Sequence, residues 1–321
     1  MNPTPARGAL LAASACLLVG ASFTANSLLG DYPYAGGQAL RYGLAALLLA
    51  PLARHGARER LRLLTARQWL RTALLSGVGM LGFNLAVLAA ERSAEPAVPG
   101  VLVGCAPVVV AVLAPLTEGR RPRPPVLCGA FLVAAGAFAV QGWGRTDGAG
   151  LVYSGLALVG EVGFAVLAVP VLRVLGPLLT SATVCAVAAV ESAALGLLLD
   201  GGDWLRRPDG GEAAALLWQA VVVTVVGFVC WYRGLRVLGV ERTTLYSGLI
   251  PVAAAGTAPV VGTGSYGAAQ ALGSLLVGLG VAVGSGALSG SRPGSRATPA
   301  PGRRSSDSGR SRAGGSGVPG G

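Results

Sequence analysis

The chain has 321 residues, 53% of them hydrophobic and 12% charged, with 25 basic residues, all arginine, and a formal net charge of +11. That profile excludes an ordinary soluble domain and makes the bilayer the solvent. The arginines sit in short connections beside apolar runs, where the positive-inside rule accounts for them without a nucleic-acid partner.

An α-helix rises about 1.5 Å per residue, so roughly 20 apolar residues cross about 30 Å of hydrocarbon. Residues 1–8 are polar and carry Arg7, and 9–29 form the first apolar run. A secretory signal is the rival reading there, weakened by the nine further runs that follow. The second run, 35–53, contains Arg41, and a basic connection with Arg54, His55, Arg58, Arg60, Arg62 and Arg67 comes after it. His55 reads as a solvated loop residue. Runs at about 70–90, 97–116 and 126–143 complete the first half, with Arg120, Arg121 and Arg123 among prolines between the last two. After the polar link 144–149, further runs fall at about 151–170, 177–199, 213–233, 244–261 and 266–288. The final stretch, 289–321, is Gly, Ser, Pro and Arg and predicts a disordered cytoplasmic tail.

An internal repeat organises the chain. Gly104, Pro107, Val108, Ala111, Ala114, Pro115, Gly129, Leu132, Val133 and Gly136 recur 144 residues later as Gly248, Pro251, Val252, Ala255, Ala258, Pro259, Gly273, Leu276, Val277 and Gly280, without a gap. Two units follow, 9–143 and 150–288, each with five spans. An odd number inverts the second unit, and inverted repeats are a common construction of secondary transporters. With the amino terminus cytoplasmic, 19 arginines lie on the cytoplasmic side and four opposite, which places both termini inside. The predicted fold is therefore all-α and integral to the membrane, with ten transmembrane helices as two inverted five-helix repeats.

Charged groups within spans are costly and are functional candidates for that reason. Glu161 lies near the middle of the sixth span and is the first choice for a proton- or substrate-binding carboxylate; Glu191, in the seventh span, is the second. Arg41 is the arginine well inside a span and can neutralise either acid. Asn84 and Tyr246 add polar groups, and Gln141 and Gln219 read as interhelical glue. Trp231, Tyr232 and Tyr246 can line a cavity or sit in an interfacial aromatic belt; Trp231 and Tyr232, at a helix end, read as the belt. Pro107 and Pro251 sit mid-span in equivalent helices and predict paired bends at a central cavity. Gly280 and Gly284 form a small-residue face for packing helices or protomers. The five cysteines, all inside apolar segments, read as small buried hydrophobes. No metal-ligand, phosphate-cradling or nucleophilic constellation is present, so neither an enzyme nor a metal or cofactor is expected.

Several stretches resemble the EamA family of the drug/metabolite transporter superfamily. These are "RYGLAALLLA" (Arg41–Ala50), "GCAPVVVAVLAPL" (Gly104–Leu116), "CWYRGLRVLGVERTTLYSGLIPVAAA" (Cys230–Ala255) and "ALGSLLVGLGVAV" (Ala271–Val283). The family often places Gly-Glu after its fourth and ninth helices, whereas "LTEGRRP" and "VVGTGSYG" stand here. The resemblance implies ten helices and export or exchange of small metabolites or drugs. The expectation is a plasma-membrane secondary transporter for a small molecule, coupled to protons and open to forming a homodimer. The alternative is a non-transporting membrane scaffold that kept the architecture.

Overall fold

The computed structural model describes residues 4–21, 29, 32–90, 92–95, 97–142, 144–257, 259 and 266–287. Among these there is no β-strand, only an isolated antiparallel bridge between Ala94 and Thr146. Helix α1 (Pro5–Ala21) starts on a proline, whose missing N–H costs nothing in a first turn. Helix α2 (Tyr34–Ala53) follows, then a short helix α3 (Ala57–Arg62). Helices α4 (Ala66–Ala90), α5 (Ala97–Thr117) and α6 (Pro124–Gln141) complete the first half.

The helical stretch Gly148–Leu199 is two helices, α7 (148–175) and α8 (177–199), separated at Gly176, whose φ of +74° is left-handed. Helix α9 (Gly210–Leu238) follows, then α10 (240–257) and α11 (Ala268–Ser285). Among the described residues six helical stretches are long and apolar enough to cross a membrane, and Gly148–Leu199 is one of them. The 20-residue α2 carries Gln38 and Arg41 within it. The end of the ninth expected span and the tail expected at 289–321 lie outside the described residues.

The spacing of 144 residues reaches beyond the letters that repeat. Thr65 caps α4 in a box with Gln68, and Asp209 caps α9 in a box with Glu212, 144 positions on. Both helices then widen into a π-helical segment, Gly77–Gly82 in α4 and Gln219–Val226 in α9. Five buried positions of α4 (Thr72, Leu75, Ser76, Gly79 and Met80) have buried counterparts at that spacing in Leu216, Gln219, Ala220, Val223 and Thr224, whereas buried Leu81 and Ala86 correspond to half-buried Val225 and Cys230. Helices α6 and α11 also start and stop at the same spacing.

These last two helices pack backbone to backbone. A Cβ at Gly129 would stand 2.5 Å from the Gly280 carbonyl oxygen, and one at Gly136 would stand 2.7 Å from that of Gly273. Since 129 meets 280 and 136 meets 273, the helices run antiparallel, and each glycine pair repeats the other with the helices exchanged. Gln270 Nε2 donates to the Val140 carbonyl at 3.4 Å in the same register. The small-residue face of Gly280 and Gly284 thus packs within the chain.

Pro107 and Pro251 each stand in the first turn after an interruption. Helix α5 breaks at Cys105, so Pro107 is its second residue beyond the break; α10 passes through a 3-10 segment, Thr244–Gly248, before Pro251. A proline removes one helical hydrogen bond and its ring displaces the carbonyl four residues back, so an interruption on the amino-terminal side of each proline is where that loss falls. Large apolar side chains such as Leu47, Leu52, Phe131, Leu156, Leu198 and Leu275 point outward around the bundle, as a lipid-facing surface requires. The cysteines are free, with Cys16 and Cys185 buried but Cys128 exposed on that surface, against the expectation that all five are buried.

Candidate functional site

Tyr34, Gln38 and Arg41 recur on α2 at helical spacing and share one face. Arg41 does not pair with either acid. Its Nε donates to Thr224 Oγ1 at 2.8 Å, and its guanidinium lies 5.1 Å from the Tyr42 ring centre. Thr224 sits in the π-helical segment of α9 and donates its own proton to the Gln219 carbonyl five residues back, at 2.9 Å. A wide turn therefore presents a hydroxyl oxygen to a cation carried by another helix.

Around this contact, Cys185 of α8 is buried in the neighbourhood of Arg41, Tyr42 and Tyr232. Trp231 and Tyr232 are 6% and 0% exposed, which overturns the reading of them as an interfacial belt. They pack with Phe164 and Phe228 at ring-centre distances of 5.6–6.1 Å. Helix α9 continues to Leu238, so both residues lie well inside it rather than at its end.

Buried side-chain atoms normally find partners, because an unmet one costs about 1–3 kcal/mol. Here Tyr34 Oη, Gln38 Oε1, Thr180 Oγ1, Glu191 Oε2, Trp231 Nε1, Tyr232 Oη and Arg242 Nε are buried without a hydrogen-bond partner among the described residues. All but Arg242, on α10, belong to α2, α8 and α9. The Glu191 carboxylate lies 3.5 Å from the position a Cβ would take at Gly77, in the π-helical segment of α4, with Ser76 beside it. Each π-helical segment is thus met by a charged side chain from the opposite half: Arg41 on α9, Glu191 on α4.

The other candidates are placed apart from this cluster. Glu161 is half-buried on α7, close enough to act electrostatically on the Cys16 thiol of α1, and no ion pair reaches it among the described residues. Asn84 spends its Nδ2 on the Met80 carbonyl of its own helix at 2.7 Å. Tyr246, 5% exposed, belongs to the apolar core. Gln141 packs against Gly100 of α5, in keeping with an interhelical role. Thr224, Gln38, Phe164 and Phe228 belong to this cluster without being singled out by the sequence; the Gln38–Arg41 spacing within an apolar run is the signal available for one of them.

The two ends of the bundle differ. At the arginine-rich end, Arg120 contacts Glu118 at 2.5 Å and Glu241 at 2.8 Å, while Arg173 reaches Glu118 at 3.6 Å. Glu241 and then Glu118 hold the Arg120 guanidinium above its usual pKa. At the other end Arg145 pairs with Glu95 at 2.8 Å. Arg206 pairs with Glu212 and lies 4.8 Å from the centre of the Tyr32 ring, whose Oη donates to its carbonyl. A cavity of about 940 Å³ opens at that end, between α2, α4, α7 and α8, lined by Tyr34, Gly77, Arg92, Tyr153, Asp200 and Asp203 among others. None of Glu161, Glu191, Arg41, Asn84, Tyr246, Pro107 or Pro251 lines it, but Glu191 abuts it through Gly77.

Among the described residues, an all-helical bundle with a lipid-facing apolar surface and buried polar atoms without partners fits the construction of a multi-pass membrane transporter. Residues 6–141 match the EamA-like transporter family. The match extends into the second half through an uncharacterized transporter of Bacillus subtilis (strain 168), YyaM, 25% identical over 282 residues, covering 85% of this chain and 91% of that protein. A protein of known crystal structure shares the fold at a TM-score of 0.74 and 23% identity, over 86% of this chain and 96% of that one. The first half of the chain is thus similar to the EamA-like transporter family, and most of its length is similar to a membrane transporter.

Proposed function

We propose that the chain is a plasma-membrane secondary transporter that exports or exchanges a small organic solute by alternating access. Its two units, 9–143 and 150–288, form inverted five-helix repeats, ten transmembrane helices in all, with both termini cytoplasmic. The solute binds at the polar cluster of α2, α8 and α9, with Arg41 as its charged anchor and Glu161 as the group that takes up and releases the coupling proton. Glu191 faces the same interior from α8, and the bends before Pro107 and Pro251 let the halves rock. No enzymatic step or cofactor belongs to this reading.

The observation that carries it is the set of buried polar atoms lacking partners on three adjacent helices, since groups of that kind are met by water or solute in a transport pathway. The antiparallel glycine contact of α6 with α11 supports the inverted arrangement, because these two helices exchange equivalent contacts, as an inverted pair of repeats would. The test is uptake into proteoliposomes from a pool of amino acids, nucleosides, sugars and cationic drugs under an imposed pH gradient. Wild type, Glu161→Gln and Arg41→Gln are compared side by side. Gradient-dependent accumulation that Arg41→Gln abolishes supports the site; equal accumulation by Glu161→Gln with unchanged pH dependence removes the proton assignment. A scaffold predicts that all three proteins behave alike.

A further inference from the structure

We propose that the arginine-rich end of the bundle binds a phosphate group at the Gly176 turn, with Arg60 and Arg236 as its two guanidiniums. The left-handed φ at Gly176 lets α7 pass into α8 through a single residue, which projects no side chain of its own into the space beside it. Arg60 Nη1 and Arg236 Nη1 enter that space, 3.6 Å and 3.9 Å from the point a Cβ would occupy, so the two nitrogens stand no more than about 8 Å apart. His55 lines the same cavity, which measures about 150 Å³. That volume suits a single phosphate group and falls below the roughly 300–1,000 Å³ that holds a drug-sized ligand.

The carboxylates of this end do not neutralise the pair. Glu118 and Glu241 are engaged by Arg120 and Arg173, and Glu59, beside Arg60 in sequence, forms no ion pair with either arginine among the described residues. Arg60 makes one bond to protein here, to the Leu175 carbonyl at 3.2 Å, and that uses a single donor of five. Two guanidiniums brought to one point without a counter-charge repel each other, and an anion between them removes that repulsion. Guanidinium forks match the oxygens of a phosphate, which makes the phosphate group the ligand chemistry that fits. It can come from a free phosphate in the cytoplasm or from the headgroup of an anionic lipid in the adjoining leaflet.

The experiment reads binding rather than transport, so its failure leaves the proposed transport function standing. The full chain is purified in phosphate-free detergent solution and titrated with inorganic phosphate, with thermal midpoint and calorimetric affinity as readouts. In parallel it is placed in nanodiscs of phosphatidylcholine with or without phosphatidylglycerol. Arg60→Gln removes the bond to Leu175 as well as a charge, so Arg236→Gln is the cleaner variant, and Arg92→Gln at the far end controls for net charge. A saturable rise in midpoint, with affinity weakened about tenfold or more in Arg236→Gln but not in Arg92→Gln, is expected. If inorganic phosphate gives that pattern, a free phosphate compound is the source; if phosphatidylglycerol alone gives it, the source is a lipid headgroup. No response to either, or an equal loss in Arg92→Gln, overturns the site.

Discussion

Along α6 and α11 two helices meet glycine against glycine, with backbone atoms where side chains would stand. Along α2, α8 and α9 the meeting is made by Arg41, Gln38, Trp231 and Tyr232, several of them lacking hydrogen-bond partners. The first contact has one workable geometry, because nothing can be added to it. The second is an incomplete set of polar groups that accepts different partners without unfolding. Rigidity has been placed at the seam and adaptability in the interior, and a membrane transporter needs both.

The seam gives the largest expected effects. Gly136→Leu sets a side chain against the Gly273 carbonyl and the Val277 amide, and overpacking of that kind costs about 1–3 kcal/mol or more. The measurement is thermal unfolding in detergent, with Gly278→Leu as the contrast: it sits on the partner helix α11 with nothing within 4 Å and is expected to behave as wild type. Equal behaviour of the two variants would break the distinction between seam and surface.

The interior responds in a different currency. Thr224→Val strips the acceptor from Arg41 Nε while keeping the side-chain shape, and solute affinity or uptake is expected to fall about tenfold with a shift in midpoint of only a few degrees. A large midpoint loss with normal uptake would move Thr224 to the structural side of the comparison. A smaller effect is expected at the arginine-rich end. Glu241→Gln weakens the contact between Arg120 of one half and α10 of the other. It is expected to change the rate of solute exchange more than its affinity, to a degree that shrinks as salt is raised, because exposed pairs are screened.

The smallest effect concerns Glu95, outside the spans, whose carboxyl the hydrogen bond from Arg145 holds below its usual pKa. A depressed carboxyl contributes stability above its unfolded pKa and loses it as pH falls through the folded value. Glu95→Gln is therefore expected to narrow its gap from wild type in thermal midpoint as a titration runs from neutral into the acid range. A gap that widens on acidification would contradict the assignment.

The distribution of what was legible follows from the same contrast. Gly129, Gly136, Gly273 and Gly280 recur as letters because each must lack a side chain to admit the other helix, so the repeat was visible where the backbones touch. The caps Thr65 with Gln68 and Asp209 with Glu212 do the same work with different residues, and a search for identity passes over them. The π-helical segments leave no residue signature. Arg41 was found because a cation within an apolar run is conspicuous, but its partner Thr224, 183 positions away, is an unremarkable threonine until the helices are assembled. Trp231 and Tyr232 were misplaced for a simpler reason: the eighth apolar run was read as ending at 233, and the helix runs on to Leu238.

The reciprocal glycine contact also bears on how the chain came to hold unlike charges. An isologous interface between two separate copies obliges every residue to appear twice, so a cation placed for function in one protomer is forced on the other. Here the same kind of interface lies inside a single polypeptide, and the position 144 residues after Arg41 is Cys185, while those 144 residues before Glu161 and Glu191 are Leu17 and Leu47. Within one polypeptide the two sides need not copy each other. Symmetry was kept where the backbones meet and given up wherever a charge was to have only one address.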